Sequence, residues 1–402
     1  MAPLNPVKLS YTAFLSASVA TGALSTDMYL PSLPEIQATF NATEGEIQWT
    51  LSSFMVGIAS FQLIIGPIAD RFGRKKVLLS GLLIFILASF ACVFTQSAGQ
   101  MVFWRVVQSF GVCAAIVIPR AMVRDLYDRE DSALHLSRIG TIMGLAPAIA
   151  PIIGGYIAVY YGWEGIFVAL GTYGLLVALI LIFRVEETLP PERAYPLNFK
   201  IIFQNYGELI TSREYLGYVM TATLCFAGFF TYISSSAFVL ITTYELPVHL
   251  FGYYFGFVVV GFMGGTLLGP RLTRLVNLRY SLQIGVFINL FGGALLLLLV
   301  ANGMQNPFAI ILPMVFYNLG VGIVMPQCQA GAMHPFPDKA GAASALSGFC
   351  ILGLSGLLGG LGGWLFDGTA WPMVLIIFAM AVLTFICFHM TIFLDPRSRV
   401  RA

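Results

Sequence analysis

Two charges in this chain stand where water is scarce. Asp27 lies in Thr26-Asp27-Met28-Tyr29-Leu30-Pro31 and is the only acidic residue well inside an apolar run. A carboxylate in hydrocarbon costs ~2.5–3.5 kcal/mol even on the mild insertion scale, so it must face a cavity or a partner. Arg105, in Trp104-Arg105-Val106-Val107-Gln108, is the expected partner. Counted at ~1.5 Å per residue from the near end of each run, both sit ~8–9 Å inside. A carboxyl beside a buried cation can take up and release a proton as a cavity opens to one side and then the other. Gln108 lies one turn from Arg105 on the same helix face, so Gln108 and Tyr29 complete a candidate substrate group. The same residues also admit a static structural pair, or a cap on the break before Pro31. A tyrosine near an interface is commonly an anchor.

Composition says what surrounds these groups. The 402 residues are 58% hydrophobic and 10% charged. A soluble domain carries about 25% charged residues, so lipid is the solvent for most of this surface. Twelve runs reach the length of a spanning helix: 10–32, 46–69, 77–96, 99–122, 137–159, 163–184, 215–243, 250–270, 280–301, 307–332, 340–364 and 371–394. The first run is followed directly by a second and lacks a small-residue cleavage site, which predicts a retained helix and no signal peptide. All six cysteines fall inside apolar runs without CxxC spacing and read as small buried hydrophobes. No metal site or cofactor is expected. With no phosphate-binding glycine loop ending in Lys-Ser/Thr, neither is direct ATP use.

Charge is distributed by loop. Segments 33–45, 97–98, 160–162, 244–249, 302–306 and 365–370 hold Glu35, Glu44, Glu245 and Asp367 and no Lys or Arg. The basic residues lie in the alternate loops and the tails, apart from Arg105 and Arg120. That bias predicts both termini on the cytoplasmic side and calls for no nucleic-acid partner.

The densest charge is in Gly66-Pro67-Ile68-Ala69-Asp70-Arg71-Phe72-Gly73-Arg74-Lys75-Lys76, between two apolar runs. Gly66 and Pro67 should interrupt the helix, Gly73 should allow a turn, and the cations should hold the loop at the cytoplasmic edge. Asp70 and Arg71 are expected to contact the end of the fourth or eleventh span in one conformation and release it in the other. A weaker copy, Gly269-Pro270 with Thr273-Arg274, follows the second span of the other half. Gly154-Gly155 precedes Trp163 as Gly362-Gly363 precedes Trp371. Such repeats predict an all-α membrane protein, with twelve transmembrane helices in two six-helix pseudo-symmetric bundles and a site between them. The bundles would be residues 1–185 and 215–402, joined by a polar cytoplasmic linker over 186–214 that contains Glu186, Glu187, Pro190, Pro191, Glu192 and Arg193. Pro147 and Pro151 should bend the fifth span, and its small residues should let a partner helix slide close.

These segments resemble the 12-span drug:proton antiporters of the major facilitator superfamily, most of all the bicyclomycin-resistance (Bcr/CflA) group of bacterial exporters. The likeness rests on Asp27-Met28-Tyr29-Leu30-Pro31 with Pro34, the Gly66–Lys76 segment, Arg105-x-x-Gln108-x-x-Gly111, and Ala150-Pro151-x-x-Gly154-Gly155. The resemblance implies proton coupling at Arg105 and antiport at Pro147, Pro151, Gly154 and Gly155, although Ala150 stands where the signature usually has glycine. It implies a monomer in a bacterial cytoplasmic (inner) membrane that moves small drugs or metabolites against protons. A proton-coupled importer of a nutrient or siderophore on the same fold is the alternative. A receptor or an intramembrane enzyme is disfavoured, because no nucleophile–base pair, second acid or metal cluster accompanies Asp27.

Overall fold

Helix starts follow from local side chains. The Thr43 hydroxyl accepts from Glu46 N while the Glu46 carboxylate accepts from Thr43 N, a reciprocal cap that opens a 29-residue helix. Ser97 and Ser212 each place a hydroxyl on the third amide of the helix that follows. Leu33-Pro34 starts a short helix at no loss, because a first-turn amide has no intrahelical partner to give up.

The computed structural model describes residues 9–190 and 199–393. In order, the helices are α1 (Leu9–Asp27), α2 (Leu33–Phe40), α3 (Glu44–Phe72), α4 (Arg74–Val93), α5 (Ala98–Leu126), α6 (Arg129–Arg184), α7 (Phe199–Thr211), α8 (Arg213–Ala237), α9 (Val248–Ala301), α10 (Phe308–Met333), α11 (Ala340–Trp364) and α12 (Trp371–Phe388). No strand occurs among the described residues. Both chain ends, and Pro191, Glu192 and Arg193 of the expected linker, lie outside the described residues.

Nine helices among the described residues are long and apolar enough to cross a membrane. Two of them, α6 and α9, run to 56 and 54 residues. At ~1.5 Å per residue each is ~80 Å long, far beyond the ~30 Å hydrocarbon core, so each must turn back on itself. The non-helical residues are Gly162 (φ 69°, ψ 177°) in α6 and Asn277 (φ 67°, ψ 170°) in α9. The expected loops thus shrink to single residues able to adopt positive φ. α1 has 19 residues and is richer in Ser and Thr than these nine.

Two sequence expectations need correcting. The first span stops at Asp27, and residues 33–40 form the separate helix α2 within the expected loop. Gly66-Pro67 does not interrupt the second span: α3 continues through Pro67 to Phe72, and the turn is Gly73 alone (φ 99°). Pro67 leaves the Leu63 carbonyl without its helical donor. The Tyr206 hydroxyl of α7 donates to that carbonyl at 2.9 Å. Pro147 and Pro151 also remain within continuous helix.

α1, α3, α4, α5 and α6 pack among themselves, as do α8 to α12, and the pairs α3/α11 and α6/α9 join the two sets. Small residues make the joins. A Cβ on Gly45 would meet the Gly363 carbonyl at 3.3 Å, and one on Gly155 the Val248 carbonyl at 3.1 Å. These contacts lie at the end that carries Glu35, Glu44, Glu245 and Asp367, here termed the acidic end. Gln48 is fully buried there against Gly363 with neither polar atom hydrogen-bonded, and the Ser52 and Ser355 hydroxyls are likewise unpartnered. At the opposite, basic end a Cβ on Gly66, Gly140 or Gly341 would meet nothing within 4 Å, as would one on Gly99, Gly303 or Gly368 toward the acidic end.

Candidate functional site

Arg105 projects from α5 and is fully buried. Its Nη1 donates to the Ser25 carbonyl at 3.0 Å and to Gln108 Oε1 at 2.6 Å. The last carbonyls of a helix have no intrahelical donor, so the guanidinium caps the end of α1 and meets the negative end of its dipole. Gln108 Nε2 donates to Ser89 Oγ at 2.8 Å, and Ser89 Oγ donates to the Phe85 carbonyl at 2.6 Å. One polar chain thus links α1, α5 and α4.

Aromatic rings close the other side. Arg105 Cζ stands 3.9 Å from the Phe54 ring centroid and 4.8 Å from that of Tyr29. A desolvated cation–π contact contributes about 2 kcal/mol or more. Tyr29 is fully buried, its hydroxyl hydrogen-bonded with Thr50 Oγ1 and its ring edge-on to Phe167 at 5.5 Å. It is therefore a wall of the site and not an interfacial anchor. Phe54, Thr50, Ser89 and the Ser25 carbonyl are partners that the sequence reading missed. Thr50 and Phe54 are four apart on one helical face, which was the available signal.

Asp27, the last residue of α1, is buried and forms no ion pair or hydrogen bond among the described residues. The expected Asp27–Arg105 ion pair is not made in this conformation. Matching depth puts two groups at one level but does not set their bearing round the helix. Arg105 instead takes the backbone carbonyl two residues earlier, and its Nε and Nη2 stay buried without partners. The site therefore holds a buried cation and a buried carboxyl, each lacking an opposite charge within contact distance.

The seam beside them is built on Gly154. A Cβ there would collide with the Met28 carbonyl, next to Asp27, so only glycine lets α6 approach the end of α1 this closely. One residue on, Gly155 abuts α9, and Gly252 of α9 abuts Pro151-Ile152. Pro151 is buried, and Pro147 is partly buried one turn away.

At the basic end, Arg74 is the hub. It pairs with Asp70 at 2.5 Å and, through Nε, with Asp125 of α5 at 2.8 Å. The contact with the end of the fourth span is thus made by Arg74, with Asp70 attached to it. Arg71 is exposed and unpaired among the described residues. Gly73 is packed against the Glu187 carboxylate, which accepts from Arg74 N at 2.8 Å and Lys75 N at 3.2 Å. Gly66 faces open space.

Helices that turn back at Gly162 and Asn277, a buried arginine capping the first helix, and a charged hub beside Gly73 agree with comparison at the sequence level. The sequence model of the Major Facilitator Superfamily matches residues 15–360. The chain belongs to the Major Facilitator Superfamily. It is a multi-pass membrane transporter and not an enzyme. It is 31% identical over 382 residues to a bicyclomycin resistance protein homolog of Haemophilus influenzae, covering 93% of this chain and 94% of the relative. It is 28% identical over 368 residues to a chloramphenicol resistance protein of Pseudomonas aeruginosa, covering 89% and 85%. The multidrug resistance protein MdtL of Klebsiella pneumoniae is 28% identical over 345 residues, covering 84% and 85%. Among solved structures, a bacterial homolog of the lysosomal transporter Spinster, inward-facing and occupied, superposes with TM-score 0.76 at 15% identity, covering 98% and 100%. The E. coli xylose transporter XylE in a partially occluded inward-open conformation gives TM-score 0.71 at 14% identity, covering 95% and 96%. These likenesses are of fold.

Proposed function

We propose that this superfamily member is a proton-coupled exporter of small, mostly hydrophobic drugs or metabolites, of the phenicol or bicyclomycin kind, in a bacterial cytoplasmic membrane. The observation that carries the reading is a buried arginine and a buried carboxyl, Arg105 and Asp27, at the end of α1, neither of them in an ion pair among the described residues. Burying an unpaired ion costs several kcal/mol, so stability alone does not account for keeping either one. Relatives named for bicyclomycin, chloramphenicol and multidrug resistance support the substrate class.

In this reading the basic end faces the cytoplasm, as its arginines and lysines favour, and the conformation is inward-facing. The bundles of residues 1–185 and 215–402 rock about the α3/α11 and α6/α9 seams, with residues 186–214 as the cytoplasmic linker. Substrate enters from the inside and lies against Tyr29, Arg105 and Gln108. Asp27 releases its proton inward, and substrate takes up the interactions of the site. After the seams exchange open and closed ends, a proton arriving from outside displaces the substrate. Gly154, Gly155, Pro147 and Pro151 allow the close contact that the exchange requires. Gly66, Asp70, Arg71, Gly73 and Arg74 act at the cytoplasmic edge.

The test is flux in protein-only liposomes with an imposed pH gradient, using radiolabelled chloramphenicol and bicyclomycin as probes. Antiport by the wild type and its loss in a folded Asp27→Asn variant are expected. Undiminished uphill transport by Asp27→Asn would remove Asp27 as the proton site. Symport in the same vesicles would make the chain an importer.

A further inference from the structure

The two turns at the basic end meet their charges differently. At the Gly73 turn, the next helix begins on the Glu187 carboxylate, which accepts two amides, and Arg74 has two acidic partners. This is what the free amides of a helix start favour, an anion in place.

The Asn277 turn has the same form in the other half, with φ 67° and ψ 170° against 99° and 147° at Gly73. Its side chain covers only Tyr280 N, at 3.2 Å. Arg271, Arg274 and Arg279 surround the turn in sequence, and none has an ion pair among the described residues. No acidic residue occurs between Glu245 and Asp338, and Thr273 stands where the first half has Asp70. Arg279 lies over the Phe393 ring at 4.4 Å with its Nε buried and unpartnered.

Beside the turn runs a groove of about 670 Å³ lined by Leu275, Val276, Tyr280, Gln283, Ile284 and Phe287, together with Asn277. Leu275, Tyr280 and Phe287 are exposed along it. From Asn277 to Phe287 the helix rises ~15 Å, about half the hydrocarbon thickness. The groove thus runs from the Asn277 turn, which Arg271, Arg274 and Arg279 flank in sequence, along an apolar helix face.

We propose that the Asn277 turn binds an anionic phospholipid. Its phosphate lies among Arg271, Arg274 and Arg279 at the helix start, and one acyl chain lies in the groove. The lipid supplies to this half the negative charge that Glu187, Asp70 and Asp125 supply to the other. The groove distinguishes a lipid from free phosphate, since phosphate has nothing to place in it. Asp395 stands 208 residues after Glu187 in the sequence, in the tail outside the described residues, and is the competing anion that a test must include.

The experiment measures lipid binding to the purified full chain in detergent, by thermal shift and native mass spectrometry. The probes are phosphatidylglycerol, phosphatidylcholine and inorganic phosphate. Phosphatidylglycerol alone is expected to raise the melting midpoint and to persist in the mass spectrum. Arg271→Gln with Arg274→Gln should lower its affinity ~30-fold, from roughly five-fold per arginine at a charged surface. Ile284→Trp, which fills the groove and keeps the charge, should also lose the lipid. If the double variant fails to fold, Thr273→Asp carries the test, with about a five-fold loss expected. Equal responses to the two lipids, full reproduction by phosphate, or an undiminished response in the arginine and aspartate variants would each overturn the proposal. So would a several-fold gain of phosphatidylglycerol affinity in Asp395→Asn, because the tail would then own the place.

Discussion

The Tyr206 hydroxyl stands in for the amide hydrogen that Pro67 lacks. It donates at 2.9 Å to the Leu63 carbonyl, the acceptor that an amide at position 67 would have served, and so ties α7 to α3. Tyr206→Phe should lower unfolding free energy by ~1–3 kcal/mol, the usual penalty for an orphaned buried acceptor. Pro67→Ala supplies the missing donor within the helix. In that background Tyr206→Phe should be nearly silent, and a double-mutant cycle in chemical denaturation measures the coupling. Equal losses in both backgrounds would show that the hydroxyl and the proline are unrelated.

Arg105 should matter more to transport than to stability. Its two charge-assisted hydrogen bonds contribute roughly 1.5–3 kcal/mol each, against a desolvation penalty of several kcal/mol. Arg105→Met should therefore leave the unfolding free energy within about 2 kcal/mol of wild type while abolishing flux. Arg105→Lys keeps a cation over Phe54 and Tyr29 but loses the guanidinium Nη1 that reaches both Ser25 and Gln108, so partial flux is expected. Arg105→Ala should be worse than lysine. A variant with normal transport and collapsed stability would reverse this assignment.

The two acidic partners of Arg74 differ in exposure, with side chains 47% accessible at Asp70 and 10% at Asp125. Asp70→Asn should cost less than about 1 kcal/mol, as exposed pairs do. Asp125→Asn leaves a mostly buried guanidinium short of its sheltered partner and should cost about 3 kcal/mol. Thermal midpoints in detergent rank the two, and the opposite order would mean that Asp70 has a stronger partner in the solution ensemble.

At the acidic end, partial burial and the neighbouring Glu164 carboxylate hold Glu35 above the usual carboxylate range. A raised carboxyl pKa means that the folded form binds the proton more tightly than the unfolded chain. The stabilisation is complete below the unfolded value of 4.5 and is lost as pH rises through the folded value. Glu35→Gln should raise the melting midpoint at pH 7 and flatten its slope above pH ~4.5. An unchanged slope between pH 4 and pH 7 would count against the coupling.

The fold was legible because lipid imposes apolar length and charge bias on a sequence, and both survive in a single chain. The grouping of Arg105, Tyr29 and Gln108 in the candidate site was legible, because it rests on side-chain type and spacing. The site was hidden where it rests on backbone. No residue code marks the Ser25 carbonyl as the acceptor at the end of α1, and the sequence reading assigned that place to Asp27. Glu187 was hidden for a related reason: it read as polar linker, and only the turn at Gly73 brings its carboxylate to the start of α4. Pro67 misled because the Tyr206 hydroxyl, distant in sequence, serves the Leu63 carbonyl that the proline abandons.

The α3/α11 seam has a consequence for how opening begins. Its glycines bring helix against helix, and no ion pair crosses it among the described residues. Dispersion falls away within an ångström of separation, so such a closure has little spring: it holds at contact and lets go abruptly. Once parted, Gln48, Ser52 and Ser355 meet the water that closure denies them. Hydration of these three groups offsets part of the cost of parting the seam.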